Sequence, residues 1–81
     1  MRLDKFLKVS RLIKRRTVAN SVSEMGRVLV NGNQAKPAKQ LKVGDIIEIE
    51  YANRTDKYEV LLVPERNISV QEASTLYRVI D

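Results

Sequence analysis

No cysteine and no histidine occurs anywhere in the 81 residues of this chain, and those two absences constrain its fold more than any motif does. Disulfides and thiolate or imidazole metal sites, the usual staples of very small domains, are out of reach. The length suits one domain. A domain this size buries only about 60% of the surface its unfolded chain exposes, so one economical hydrophobic core must hold it together. The commonest general acid–base side chain is missing as well.

Charge is distributed unevenly. Residues 1–42 hold 11 Lys and Arg against Asp4 and Glu24, a balance of +9, whereas residues 43–81 hold 4 against 8 acids, a balance of −4. A net charge of +5 therefore hides a strongly basic half and a mildly acidic one. A concentrated positive field draws phosphate polymers or anionic membranes. The opening Met1-Arg2-Leu3-Asp4-Lys5-Phe6-Leu7-Lys8 interrupts every apolar stretch with charge, short of the apolar run of about 7–15 residues that a signal peptide needs or the roughly 20 of a membrane span. No long amphipathic helix with exposed bulky apolar residues is visible either. The expectation is a soluble cytoplasmic protein with no membrane partner.

Apolar spacing predicts an α+β fold. Asp4 can cap a first helix over residues 4–13, with Leu3, Phe6, Leu7, Ser10 and Ile13 on one side and Lys5, Lys8, Arg11 and Lys14 elsewhere. A second helix follows at 16–25, with Val18, Val22 and Met25 recurring at helical spacing and Gly26 where a helix commonly stops. Arg27 to Val30 reads as a strand, and Asn31-Gly32 supplies the positive φ angles of a tight turn. Gln34-Ala35 can return as a short strand. After the turn Val43-Gly44-Asp45, Ile47, Ile49 and Tyr51 alternate with acids in a strand over 46–51. Residues 53–56 link it to a strand over 57–63. Ser69 and Glu72 have capping-box spacing, and Ala73, Leu76, Tyr77 and Ile80 behind them predict a short C-terminal helix. The expected layout is two helices packed on a small antiparallel sheet in residues 1–64, with an extension over 65–81.

The basic half carries the chemistry. Arg2 lies at the entrance of the first helix, and Lys5 lies on its polar side. Arg11, Lys14, Arg15 and Arg16 cluster at the connection between the helices, and the exposed N–H groups that open the second helix already favour an anion there. An arginine fork can hold a phosphate through two hydrogen bonds and stack its face on an unpaired base. Lys36, Lys39 and Lys42 follow beyond the Asn31-Gly32 turn. Burying such groups unpaired costs several kcal/mol each, so they must stand at the surface.

Arg2-Leu3-Asp4-Lys5-Phe6-Leu7, then Arg16, then Gly26-Arg27-Val28-Leu29-Val30-Asn31-Gly32, then Lys36-Pro37, then Val43-Gly44-Asp45-Ile46-Ile47 stand in order within residues 2–51. This series resembles the S-four RNA-binding domain, or alpha-L motif, shared by a small-subunit ribosomal protein, pseudouridine synthases and the heat-shock protein fifteen family. The resemblance implies a helix pair on a small bent sheet. It also implies that Arg2 and Arg16 face RNA, and that Asn31, Lys36 and Lys39 lie in a loop region approaching it. Gly26, Gly32 and Gly44 match positions whose requirement is conformational, and Asp4 and Asp45 serve capping and turn geometry. Arg15 departs from the pattern: many relatives have a capping Ser or Thr there, so the second helix loses a cap and the surface gains a cation.

Compact size makes the chain similar to the ribosome-associated quality-control members of the family (RqcP-type) more than to the heat-shock protein fifteen members, which carry a longer basic tail. That similarity implies a protein bound to large-subunit ribosomal RNA beside peptidyl-tRNA, assisting an RqcH-type factor that adds alanine tails to stalled chains; the polarised charge favours binding as a monomer. A recycling factor like heat-shock protein fifteen, or a general structured-RNA binder in ribosome assembly, is the alternative. The candidate RNA contacts are Arg2, Lys5, Arg11, Arg15, Arg16, Asn31, Lys36 and Lys39. No catalytic residue, cofactor or metal is expected: there is no nucleophile-and-base pair, and Glu48 and Glu50 alternate away from the apolar strand face. A duplex-DNA reader is disfavoured because Val18, Ala19 and Val22 stand where a groove-reading helix needs polar groups.

Overall fold

Leu3, Phe6 and Leu7 fall within one helical turn of each other, and all three are fully buried in the fold. Each such side chain contributes about 1.5–3 kcal/mol on leaving water. The computed structural model describes residues 1–80. These form helix α1 (Leu3–Val9), helix α2 (Arg16–Glu24), strands β1 (Val28–Val30), β2 (Asn33–Gln34), β3 (Ile46–Glu50) and β4 (Thr55–Val60), a one-turn helix α3 (Val70–Ala73), a 3-10 turn (Ser74–Leu76) and strand β5 (Tyr77–Ile80). The strands make one antiparallel sheet in the order β2-β1-β3-β4-β5. Leu3, Phe6, Leu7 and Ala19 of the helices share a core with Val28, Val30, Ile47, Ile49 and Val60 of the sheet. The α+β architecture is the one expected.

Helix α1 is shorter than its apolar spacing suggests. It ends at Val9 because Arg11 adopts a left-handed conformation, φ 63°, which costs a residue with a Cβ about 1–2 kcal/mol. Arg11 N–H to the Lys8 carbonyl (3.0 Å), Ser10 Oγ to the Leu7 carbonyl (3.2 Å) and Ile13 N–H to the same Leu7 carbonyl (3.0 Å) hold the bend. Ile13 still packs against the core, but from the connection and not from the helix.

Helix α2 turns a different face inward from the one its large apolar residues mark. Ala19 and Ser23 are buried and Val22 is partly buried, while Val18 and Met25 are 46% and 62% exposed. Small residues let the two helices approach closely, and the Ser23 hydroxyl is satisfied by the Ala19 carbonyl at 2.8 Å. At its end, Gly26 N–H bonds the Ser23 carbonyl and Arg27 N–H bonds the Val22 carbonyl, both at 3.0 Å, with Gly26 at φ 77°. This is a Schellman motif.

The Asn31-Gly32 turn forms as read, at φ 52° and 85°, and pairs Val30 with Asn33. Ile47 and Ile49 point into the core, 0% and 2% exposed, and Glu48 and Glu50 fall on the other side of the sheet. Tyr51 does not continue the alternation. It lies beyond β3, exposed, with the Arg54 guanidinium 4.9 Å above its ring. Strand β4 starts at Thr55 and stops at Val60, because Leu61 N–H turns to the Leu76 carbonyl at 2.8 Å.

The capping box at Ser69 and Glu72 is present, yet the helix behind it lasts a single turn. Tyr77 and Ile80, expected to prolong it, lie in β5 opposite Val60 and Lys57. The open edge of β4 outcompetes local helix propensity for a segment rich in aromatic and β-branched residues.

Gly26 and Gly32 offer a paired test. Both have positive φ, but a Cβ on Gly26 would come within 2.7 Å of the Gln34 amide, whereas one on Gly32 meets nothing within 4 Å. Gly32→Ala should cost about 1 kcal/mol from backbone conformation alone. Gly26→Ala should cost more in urea denaturation, because Gln34 must also leave its bond to the Gly26 carbonyl.

Candidate nucleic-acid interface

The first residues of the chain are stitched to the loop between β2 and β3. Leu3 N–H bonds the Lys39 carbonyl at 2.8 Å, Asp4 N–H bonds the Pro37 carbonyl at 3.1 Å, and Leu41 N–H bonds the Met1 carbonyl at 2.9 Å. Arg2 and Gln40 form a β-bridge. The backbone that carries Lys36 and Lys39 is therefore held alongside Arg2.

Helix α2 closes on the same place. Arg16, Asn20 and Glu24 recur every fourth residue and so share one face. Arg16 and Asn20 reach Asp4, and Glu24 lies 3.9 Å from the Lys36 ammonium in an exposed, weak pair. Asp4 is the centre of the arrangement. Its Oδ1 accepts from its own helix at Lys5 N–H (2.8 Å), from Arg2 Nε (3.2 Å) and from an Arg16 Nη (3.4 Å). Its Oδ2 accepts from an Arg2 Nη and from Asn20 Nδ2, each at 3.3 Å. The carboxylate is 3% exposed, while the Arg2 and Arg16 side chains are 45% and 48% exposed. Both arginines are thus paired with an acid but remain on the surface, and one anion between two cations leaves a net positive charge. Burial alone pushes the Asp4 carboxyl upward; hydrogen bonds from Arg2 and Asn20, with the charge and hydrogen bond of Arg16, outweigh it and hold the group below its ordinary value.

Asp4 is not the N-cap residue, although its carboxylate accepts the first-turn Lys5 N–H as expected. The N-cap is Arg2, without a side-chain bond, and Asp4 is the second helical residue. Asn20 escaped the sequence reading, although its spacing from Arg16 places both on one helical face.

Arg11, Lys14 and Arg15 are exposed in the connection between the helices. Arg15 is the N-cap of α2 with no side-chain cap bond, and the first turn carries no acid, so its free N–H groups reinforce the positive potential. Lys5 faces elsewhere, lining a recess with Met1, Leu41, Lys42, Val43 and Pro64. Lys36 and Lys39 border a second recess with Asn31 and Gln34. Asn31 has both ends of its amide engaged: Nδ2 donates to Asp45 at 3.0 Å, and Oδ1 accepts Ile46 N–H at 2.9 Å. Buried Asp45 also accepts Lys42 N–H at 3.0 Å, which ties the turn at 42–45 to the Asn31-Gly32 hairpin.

Apart from Asp4 and Glu24, the acids of the sheet lie away from this surface. Glu48 and Glu50 are on the sheet face away from the helices, opposite Lys57 and Thr55, and Glu59 on β4 pairs with Arg78. Among the described residues no group of three or more acids could hold a metal ion, and no helix is long and apolar enough to cross a membrane.

A family model described as S4 domain matches residues 1–47. The chain is 53% identical over 79 residues to a Halalkalibacterium halodurans protein named RQC P-site tRNA stabilizing factor, covering 98% of this chain and 89% of that one. It is 30% identical over 78 residues to the Haemophilus influenzae heat shock protein 15 homolog, covering 96% of this chain and 60% of that one. The trimeric heat shock protein 15 of Vibrio cholerae superposes with a TM-score of 0.87 at 31% identity, over 99% of this chain and 81% of that one. The chain belongs to the S4 domain family, together with the relatives named RQC P-site tRNA stabilizing factor.

Proposed function

We propose that this chain is a non-enzymatic RNA-binding factor of ribosome quality control. It binds the obstructed large ribosomal subunit through ribosomal RNA and peptidyl-tRNA, and steadies the tRNA while an RqcH-type factor adds alanine to the stalled nascent chain. The observation that carries the reading is the meeting of Arg2 and Arg16 on one carboxylate at the surface, beside the loop of Lys36 and Lys39. Arginine forks and lysine charges so disposed suit phosphates of folded RNA, read by shape and backbone more than by base sequence. Similarity along nearly the whole chain to relatives named for stabilizing P-site tRNA supports the quality-control assignment.

In this mechanism Arg2 and Arg16 grip phosphates, and Arg11, Arg15, Lys36 and Lys39 extend the contact along the backbone. Lys5 can join only where RNA wraps past α1. Asn31 contributes by shaping the hairpin that holds the Lys36–Lys39 segment in place. A recycling role like that of heat shock protein 15 draws support from the structural likeness, and its RNA surface would be the same.

Two measurements test this reading. With about five phosphate contacts, log affinity for the large subunit should fall against log salt with a slope of roughly −4, and salt-insensitive binding would contradict it. Purification from cells in mild salt should recover large-subunit RNA, tRNA and the tailing factor. Combining Arg2→Ala with Arg16→Ala should cut that recovery by roughly tenfold or more. Unchanged recovery from the double variant counts against the proposed surface, and recovery of free large subunits without tRNA or tailing factor favours the recycling role.

A further inference from the structure

We infer that Asp4 is a positioning residue for RNA binding: its buried carboxylate holds the Arg2 and Arg16 forks on the RNA-facing surface, so that removing its negative charge weakens the affinity for a polyanion. The inference rests on the proposed RNA-binding function.

Simple charge counting gives the opposite sign. Asp4 is an anion between two candidate phosphate ligands, and neutralising it raises the net charge from +5 to +6. If Coulomb attraction governs, Asp4→Asn binds RNA more tightly. The geometry argues otherwise. The donors on the carboxylate come from separate places in the chain: Arg2 before α1, Arg16 at the first position of α2, and Asn20 one turn further on. Arg2 commits Nε and one Nη, and Arg16 commits a single Nη. A guanidinium carries five N–H donors in a rigid plane, so most donors on both forks stay free for phosphate. Binding then does not have to order two long side chains, and this preorganisation raises affinity. An amide in place of the Asp4 carboxylate keeps one acceptor oxygen, but it loses the charge and turns an NH2 donor toward donors already there, so the hold on the forks weakens.

A purely structural role for Asp4 predicts loss of stability with no specific link to either arginine, so the test must separate the two. Using the full chain and fluorescently labelled bulk tRNA as the probe, Asp4→Asn should weaken binding by about fivefold or more, an effect opposite in sign to the charge change. Glu50→Gln, an equal charge change on the far sheet face, supplies the purely Coulombic reference and should bind no more weakly than the parent. In the Arg2→Ala, Arg16→Ala background, Asp4→Asn should weaken binding no further. Equal or tighter binding by Asp4→Asn overturns the inference, and so does a full additional loss in the double-variant background. Should Asp4→Asn not fold, the parent protein still decides: the Arg2 Nε–Hε group should show the heteronuclear NOE of an ordered backbone amide without RNA, and a freely mobile value overturns the inference. A parent chain that fails to bind tRNA or large-subunit RNA removes the proposed function itself and the inference with it, a result distinct from a mobile Arg2 in a chain that does bind.

Discussion

A carboxylate taken out of water is costly unless its charge is answered on nearly every lone pair, and the N-terminal half of this fold is arranged around meeting that requirement at Asp4. One oxygen is served by a backbone N–H and two arginines, the other by an arginine and an asparagine. Meeting those contacts fixes where α2 begins relative to α1 and where the residue before α1 points. Packing alone would leave that relation loose, because the buried side of α2 is made of Ala19, Ser23 and part of Val22. The same ion cluster therefore ties the helix pair together and displays the cations at the surface.

A second lock lies in the backbone. Three main-chain hydrogen bonds tie residues 1–4 to the loop over 37–41, and the Asn31–Asp45 contact ties the two turns at the base of the sheet. In a chain without cysteine, such bonds between distant segments do work that a covalent staple does elsewhere. They also hold the loop that carries Lys36 and Lys39: Pro37 and Leu41 are buried, and the lysines are carried on the fixed backbone between and before them.

Features governed by neighbouring residues were legible in the sequence. Asn31-Gly32 specifies its hairpin, Gly26 ends its helix, and Ser69 with Glu72 starts a helical turn, because each depends on dihedral preference or on a hydrogen bond within a few residues. Features settled by distant partners were not. The end of α1 falls at an arginine with no glycine to announce it, and β5 forms because β4 offers an edge. Val18 and Met25 mark a hydrophobic stripe that the close approach of the helices turns outward. For the candidate site, the clustering of charge foretold that Arg2, Arg16, Lys36 and Lys39 stand at the surface. The joining role of Asp4 could not be foreseen, since Arg16 and Asn20 stand 12 and 16 positions away and an acid opening a helix already has a local explanation.

The sheet face away from the helices carries Glu48, Glu50 and Glu59 against Lys57 and Arg78, so charges there nearly balance, whereas Arg2 and Arg16 stand at the starts of the two helices. A polyanion approaching from behind meets no excess of cations, so the attraction is concentrated on the helix side. Such a body is poorly suited to lie between two RNA strands with one on each flank. If it joins ribosomal RNA to tRNA, both backbones must already run close together and meet the same small patch. What it recognises is then a junction of two RNA molecules, a place that exists only while both are present.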